Sequence, residues 1–458
     1  MSMLPSKVSI VGLGKLGLCL ATLLASKGFE VVGIDVNKVV VDSVNAGQSP
    51  IYEPGIQELI AASRDRLSAT TNFERAILGT DVTFVIVPTP SEESGEFSLR
   101  HVTAAMGKVA DALRLKKRYH LVVLTSTVVP GSIDNVVKPL LERRSGKGVG
   151  RNLGLCYSPE LISLGDVIKG LSKPDFILIG ESDRRSGIML SAIRTKLCST
   201  SPPIMHMNFV NAELAKIALN SFVTMKMSFA NTLAEICEKL PGADVDTVTN
   251  AIGKDRRIGP SNLKGSLGYG GPCFPRDNVA FSQFASRTGT KAELALASHA
   301  VNLRQPSRVA KLVESESWKG AKIAIMGLTY KPKTNVLDAS QAVMLAMELA
   351  GGGHQIHAYD PAVPGGHLRQ LGPNIHLEHD IRDCLAKADV CIVATPLQEF
   401  ERIDINLFAG KTVIDCWRIL PKEVEHIARY IALGRHRRAE GDTNMRLLEV
   451  VPPPPQNP

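Results

Sequence analysis

The chain twice repeats one alternation of apolar and polar positions: a short apolar run, a turn rich in glycine or polar residues, then a segment of helical spacing. Lys7-Val8-Ser9-Ile10-Val11 is short and β-branched, which predicts a buried parallel strand. It runs into Gly12-Leu13-Gly14-Lys15-Leu16-Gly17, after which Leu18 to Ser26 reads as a helix ended by Gly28. Glu30 to Asp35 reads as a second strand, Asp81 to Val87 as a third, His120 to Leu124 as a fourth and Leu153 to Tyr157 as a further one. Arg143 to Gly148 reads as a solvated loop. Asn211 to Glu238 holds no proline or glycine and is rich in Ala, Leu, Met and Lys, so it predicts one long helix, stopped by Pro241-Gly242. The alternation then returns in Lys322 to Lys331, Gln355 to Pro361, Asp389 to Pro396 and Thr412 to Arg418. The predicted fold class is α/β: two Rossmann-like parallel-sheet domains joined by a long central helix.

The boundaries expected from this pattern are 1–200 for the first sheet domain, 201–305 for a central helical domain and 306–435 for the second sheet domain. A basic, proline-rich tail at 436–458 is expected to be disordered, since Pro452 to Pro455 cannot join a helix or a sheet interior.

The chemistry of the first half lies in its turns. Gly12-x-Gly14-x-x-Gly17 sits between a strand and a helix, and Asp35 ends the next strand. In that context the glycines let the backbone approach a pyrophosphate at a helix N-terminus, and the acid accepts ribose hydroxyls. Asp35 would repel a 2′-phosphate, so NAD is favoured over NADP. Gly12, Gly14, Lys15, Leu16, Gly17 and Asp35 are therefore the cofactor candidates. Thr89 and Thr127 join them, because polar turns at the carboxyl ends of parallel strands are where such sheets bind ligands; ordinary turn chemistry is the competing reading, about as good for Thr89.

On the long helix Lys216 and Asn220 share a face, with Glu213 one turn earlier. Spacing alone leaves open whether this stripe is solvated or faces a cleft. So long a helix also suggests packing against a second copy. The second half lacks G-x-G-x-x-G but offers Lys331, Lys333 and Arg418 at strand ends, which suit a mono- or diphosphate.

Composition narrows the class only a little. Charge is mixed, 53 basic against 45 acidic residues with a net +8, so attraction for small anionic substrates is favoured over nucleic acid. None of the eight cysteines forms a C-x-x-C pair, and neither a signal peptide nor a membrane-length apolar run is seen, so thiols, no metal and a cytoplasmic setting are expected. One cysteine stands apart. Gly270-Gly271-Pro272-Cys273-Phe274-Pro275-Arg276-Asp277 sets a thiol among glycines and prolines, where the backbone turns tightly.

Taken together these motifs resemble the UDP-glucose/GDP-mannose dehydrogenase family, over roughly Val8 to Leu420. Besides those above, the resemblance rests on Tyr52-Glu53-Pro54-Gly55, Pro159-Glu160, Ala212-Glu213-Leu214-x-Lys216-x-x-x-Asn220 and Arg257-Ile258-Gly259. It implies a four-electron oxidation of a nucleotide-sugar C6 alcohol to a carboxylate with two NAD, through a covalent adduct on Cys273. It further implies Lys216 and Asn220 as donors to the reacting oxygen, with the ammonium favouring a thiolate at Cys273. Asp277 and Glu160 would position or deprotonate water, Thr127 would order it, and Arg257 would reach the sugar from a neighbouring subunit. Lys264, Gly270, Phe274, Tyr330, Lys331 and Arg418 would line the nucleotide sugar, with Glu160, Lys216 and Asn220. Two positions depart from the family pattern: Leu164 stands where a carboxylate is usual, and Asp338 where an arginine is usual. They bear on sugar preference more than on the reaction. A two-electron β-hydroxyacid-type dehydrogenase and a non-catalytic nucleotide-sugar-binding protein are the competing readings; the second sheet and the Cys273 loop oppose the first, and the nucleophile opposes the second.

Overall fold

The computed structural model describes residues 5–363 and 372–436. Beyond His436 the expected tail lies outside the described residues. Contacts group into two units, the first within 1–224, 270–299 and 329–339, the second within 225–269, 300–328 and 340 onward.

The first unit carries an eight-stranded sheet: β1 (Lys7–Val11), β2 (Glu30–Ile34), β3 (Leu67–Thr70), β4 (Val82–Val85), β5 (His120–Leu124), β6 (Leu153–Tyr157), β7 (Ile177–Glu181) and β8 (Ile204–Met207). Their spatial order is β3-β2-β1-β4-β5-β6-β7-β8. All neighbours are parallel except β6 and β7, which run antiparallel. Helices cover the sheet, so every residue of β4, β5 and β6 is buried, as continuous apolar runs require. The second unit has β9 (Lys322–Met326), β10 (Gln355–Tyr359), β11 (Ile375–Leu377), β12 (Val390–Val393), β13 (Thr412–Asp415) and β14 (Arg429–Ala432), all parallel, in the order β11-β10-β9-β12-β13-β14.

The two sheets share more than strand order. Gly12 N donates to Ile34 O at 2.8 Å and Gly327 N to Tyr359 O at 2.7 Å. Leu13 N donates to Asp35 Oδ2 at 2.8 Å, and Leu328 N to Asp360 Oδ2 at 2.9 Å. The aspartate that ends the second strand thus fastens the turn after the first strand in both sheets. The two α/β sheets and the long helix Phe209–Cys237 bear out the expected fold class.

Three local expectations are corrected. The opening helix starts at Lys15, because Gly14 closes the turn as its N-cap. The strand expected over Asp81 to Val87 is confined to Val82–Val85. Arg143 to Ser145 are not loop but the last turn of helix Lys138–Ser145, which ends at Gly146 with φ +70°. Leu141 buries one face of that helix and Arg144 pairs with Asp111, a partner 33 residues away that the local charge pattern hides.

Candidate active site

The glycine turn is shaped by what each missing side chain would meet. A Cβ on Gly12 would sit 2.1 Å from Ile86 O, and one on Gly17 would sit 1.8 Å from Gly12 O. These two glycines are needed by the fold itself. A Cβ on Gly14 would meet nothing within 4 Å; it faces open space at the N-terminus of helix Lys15–Ser26. That is the place where a backbone cradle admits a pyrophosphate. A cavity of about 570 Å³ opens there, lined by Gly12, Gly14, Lys15, Leu16, Gly17 and Asp35 among others. Asp35 takes Leu13 N on one oxygen and Asn37 N on the other, so its carboxylate is fixed toward the cavity. These residues fit NAD. Lys15 extends its Nζ to Asn335 Oδ1 at 2.7 Å, with Glu53 and Asp338 as nearby negative charges.

A second set of side chains surrounds the cysteine loop. Cys273 caps the start of helix Phe274–Arg287 and is the only exposed cysteine of the eight; all are free thiols. The loop before it is close to other backbone. A Cβ on Gly270 would lie 2.4 Å from Ala339 O, and one on Gly271, at φ +86°, would strike the Tyr330 ring. Gly271 N donates to Asp338 O at 2.9 Å. Asp338, the charge-reversed position, therefore holds the loop through its backbone, and its carboxylate is exposed.

The polar stripe on the long helix is buried rather than solvated. Glu213, Lys216 and Asn220 are all inside, as is Asp277. Asn220 Nδ2 donates to Asp277 Oδ2 at 2.6 Å, and one residue further along, Ser221 Oγ donates to Asn278 Oδ1 at 2.9 Å. These two bonds zip the Lys216 helix to the Cys273 helix. Arg276 donates to the other Asp277 oxygen, to Thr89 O, and lies over the Phe97 ring. Lys216 Nζ donates to Glu160 O at 2.8 Å. Glu213 accepts from Gly131 N and Ile133 N at 2.6 and 2.8 Å, which ties the turn carrying Thr127 to the same helix.

The electrostatics at the cysteine act in both directions. Although Cys273 presents surface to solvent, the protein packed around its sulfur pushes the thiol above its ordinary value and Asp277 pushes it further, while Arg276 and Lys216 pull the other way. The Lys216 ammonium acts in the expected direction, toward the thiolate, against burial and Asp277. Burial also lowers the Lys216 ammonium, opposed by Asp277, Cys273 and Glu160. A lysine so placed gives up its proton more readily than one in water.

Further candidates occupy distinct places. Tyr330 follows the turn after β9, and Lys331 Nζ donates to Ser163 Oγ at 2.7 Å. Leu164 is half-buried against the core of the first sheet, so the missing carboxylate there is replaced by packing. In the second unit Lys264 is exposed, and Arg257 is exposed with its guanidinium on Asp255 of its own turn. Arg418 is at φ +59° and donates to Asp246, Gly265 O, Cys416 O and Leu433 O. Its N–H groups are taken by protein acceptors, so contact with a phosphate requires it to leave some of them.

Several residues have roles at the site that the motifs did not state. Glu53 accepts from Gly165 N and Val167 N at 2.8 Å each and so fixes the segment after Glu160. Arg276 and Arg194 partner Asp277 and Glu160. Glu53 carried a signal in Tyr52-Glu53-Pro54-Gly55 and Arg276 in its adjacency to Asp277; Arg194 carried none.

Known proteins show the same three parts. Residues 6–197 match the NAD binding domain of the UDP-glucose/GDP-mannose dehydrogenase family, 210–304 its central domain and 324–422 its UDP binding domain. The chain is 37% identical to a UDP-glucose 6-dehydrogenase of Haloferax volcanii, over 91% of this chain and 97% of that one. It is 32% identical to a GDP-mannose 6-dehydrogenase of Azotobacter vinelandii, over 93% and 99%. A solved UDP-glucose dehydrogenase from Pyrobaculum islandicum superposes with a TM-score of 0.87 at 32% identity, covering 94% of this chain and 98% of that one. With a dinucleotide cradle, a second α/β sheet of matching topology and this likeness along its length, the chain belongs to the UDP-glucose/GDP-mannose dehydrogenase family of NAD-dependent oxidoreductases acting on nucleotide sugars.

Proposed function

We propose that the chain oxidises the C6 alcohol of a nucleotide sugar, UDP-glucose in the first instance, to the uronate through a thioester on Cys273. The observation that carries this reading is the exposed Cys273 thiol, with buried Lys216, Asn220 and Asp277 packed about its helix. UDP-glucose is favoured because the Haloferax volcanii and Pyrobaculum islandicum relatives carry that substrate in their names.

The residues have separate tasks. Gly12, Gly14, Lys15, Leu16 and Gly17 with Asp35 hold NAD, helped by Thr89 and Thr127; when bound, NAD takes up the hydride in each oxidation. Lys216 and Asn220 donate to the sugar oxygen, and Lys216 exchanges the alcohol proton. The first oxidation gives an aldehyde. Cys273 loses its proton as its sulfur bonds to that carbon, and the resulting thiohemiacetal regains a C–H bond from which a second hydride can leave. Hydrolysis of the thioester, with water held by Asp277, Thr127 and Glu160, completes the reaction. Tyr330, Lys331, Phe274, Gly270 and Lys264 recognise the nucleotide sugar, with Arg257 acting from a second copy and Arg418 from the second sheet.

The same reading makes the protein at least a homodimer. Phe222, Phe229 and Ile236 are exposed at seven-residue spacing on the long helix, where water gains nothing from them. Eight free thiols suit the cytoplasm, where a uronate can serve glycoside or polysaccharide synthesis.

The test is stoichiometry. Purified protein with UDP-glucose and NAD yields two NADH per sugar and a uronate, and Cys273→Ala yields none. A free aldehyde with one NADH per sugar, or full uronate formation by Cys273→Ala, overturns the reading.

A further inference from the structure

We infer that Arg194 positions the Glu160 carboxylate for hydrolysis of the Cys273 thioester; the inference rests on the roles given to Cys273 and Glu160 above. Arg194 lies on helix Arg184–Leu197, whose buried residues are otherwise Ser186, Gly187, Leu190, Ile193 and Leu197. It is the one charged side chain on that face. Packing does not account for it, because a guanidinium is unfavourable inside unless paired, and an aliphatic side chain would fill the space better. Its partner is Glu160. The two form an ion pair with side-chain exposures of 4% and 11%. Arg194 Nε makes no hydrogen bond; Glu160 Oε1 is sealed from solvent and likewise makes none, so the guanidinium nitrogen beside it, Nη2, is its charge partner.

The same guanidinium nitrogen donates to Ser158 Oγ at 3.1 Å, and the cation sits 5.8 Å from the centre of the Phe84 ring. From the other side Lys216 Nζ donates to Glu160 O at 2.8 Å. Two buried cations therefore grip the Ser158-Pro159-Glu160 turn by its hydroxyl, its carboxylate and its carbonyl. That turn ends β6, at the carboxyl edge where such sheets bind ligands. Arg194 touches no reacting atom. By holding one carboxylate oxygen it fixes where the other points.

In the step concerned, the oxygen of water bonds to the acyl carbon and one of its protons passes to the Glu160 carboxylate. The C–S bond breaks, its electron pair leaves with the Cys273 sulfur, and the sulfur regains a proton. The product departs as a carboxylate, and no redox change occurs. A misdirected carboxylate slows this step and leaves both hydride transfers intact.

Arg194→Lys keeps the charge and loses the planar fork; Arg194→Gln loses both. Each is mixed rapidly with saturating NAD and UDP-glucose. Two NADH per active site are expected in the first turnover at close to the wild-type rate. Steady-state turnover is expected to fall about tenfold to a hundredfold, with the acyl mass on Cys273 in the intact protein. Turnover within about twofold of wild type, or a first turnover that slows in step with the steady state, overturns the inference, since a structural role alone would give the latter. Should both variants fail to fold by thermal melting, Glu160→Asp serves instead: it draws the carboxylate off Arg194 without altering the arginine, and the same burst and adduct are expected, their absence overturning the inference. Uronate formation by Cys273→Ala overturns the thioester reading as well, whereas wild-type hydrolysis in the Arg194 variants overturns this inference alone.

Discussion

At the scale of single residues, Glu213 shows how burial turns a structural bond into a pH dependence. Desolvation pushes its carboxyl up to about 7, against two backbone N–H groups that favour the charged form. The folded state thus holds the proton more tightly than the unfolded chain does. Stability gained from that proton is full below the ordinary glutamate range and is lost as pH rises through about 7. The loss is at most on the order of 3 kcal/mol. Melting temperature is expected to fall from pH 5 to pH 8, and Glu213→Gln, which cannot ionise, is expected to flatten that fall. Parallel profiles in the two proteins would show that Glu213 does not carry it. The residue also marks a limit of motif reading. Its place beside Lys216 and Asn220 was visible, but whether the stripe met water or a cleft was decided by Gly131 and Ile133, some eighty residues away.

At the scale of elements, the glycine turn separates what the fold needs from what the ligand needs. Gly17→Ala forces a Cβ into Gly12 O, so it is expected to lower the melting temperature as well as NAD affinity. Gly14→Ala meets only open space, and its φ of −69° suits alanine. That variant is expected to keep the wild-type melting temperature and to raise the KM for NAD by about tenfold or more, through loss of close approach. Unchanged KM in Gly14→Ala would move the pyrophosphate elsewhere. This element was legible in the chain because its logic is local: strand, turn, helix and acid lie within 29 residues, Lys7 to Asp35. In the segment 143–148 only the first three residues depart from the loop reading, for the opposite reason. Its arginines are exposed, as their charge suggests, but the helical turn they sit on is set by Leu141, which buries one face, and by Asp111, which pairs with Arg144.

At the scale of the whole molecule, the six strands of the second sheet repeat the order of the first six of the eight-stranded first sheet, and each turn is fastened by an aspartate. Only the first turn runs directly into a helix whose N-terminus faces a cavity. The exposed apolar stripe on the long helix predicts association: Phe222→Asp with Phe229→Asp is expected to give a monomer by sedimentation, where the wild type sediments as a dimer or larger. A wild-type monomer would refute that reading.

What the sequence determined by itself was what short-range physics encodes. Apolar runs between turns marked five of the eight strands of the first sheet and four of the six of the second, three glycines and an acid marked the dinucleotide cradle, and the glycine-flanked Cys273 announced a reachable thiol. What the tertiary structure decided was pairing. Arg194 meets Glu160 across 34 positions, Glu53 holds a segment 112 residues on, and Lys15 finds Asn335 at a separation of 320. The balance of influences on the Cys273 thiol belongs to the same class. It depends on how much protein surrounds the sulfur and on Asp277 against Lys216, and no spacing along a chain states how two charges weigh against burial.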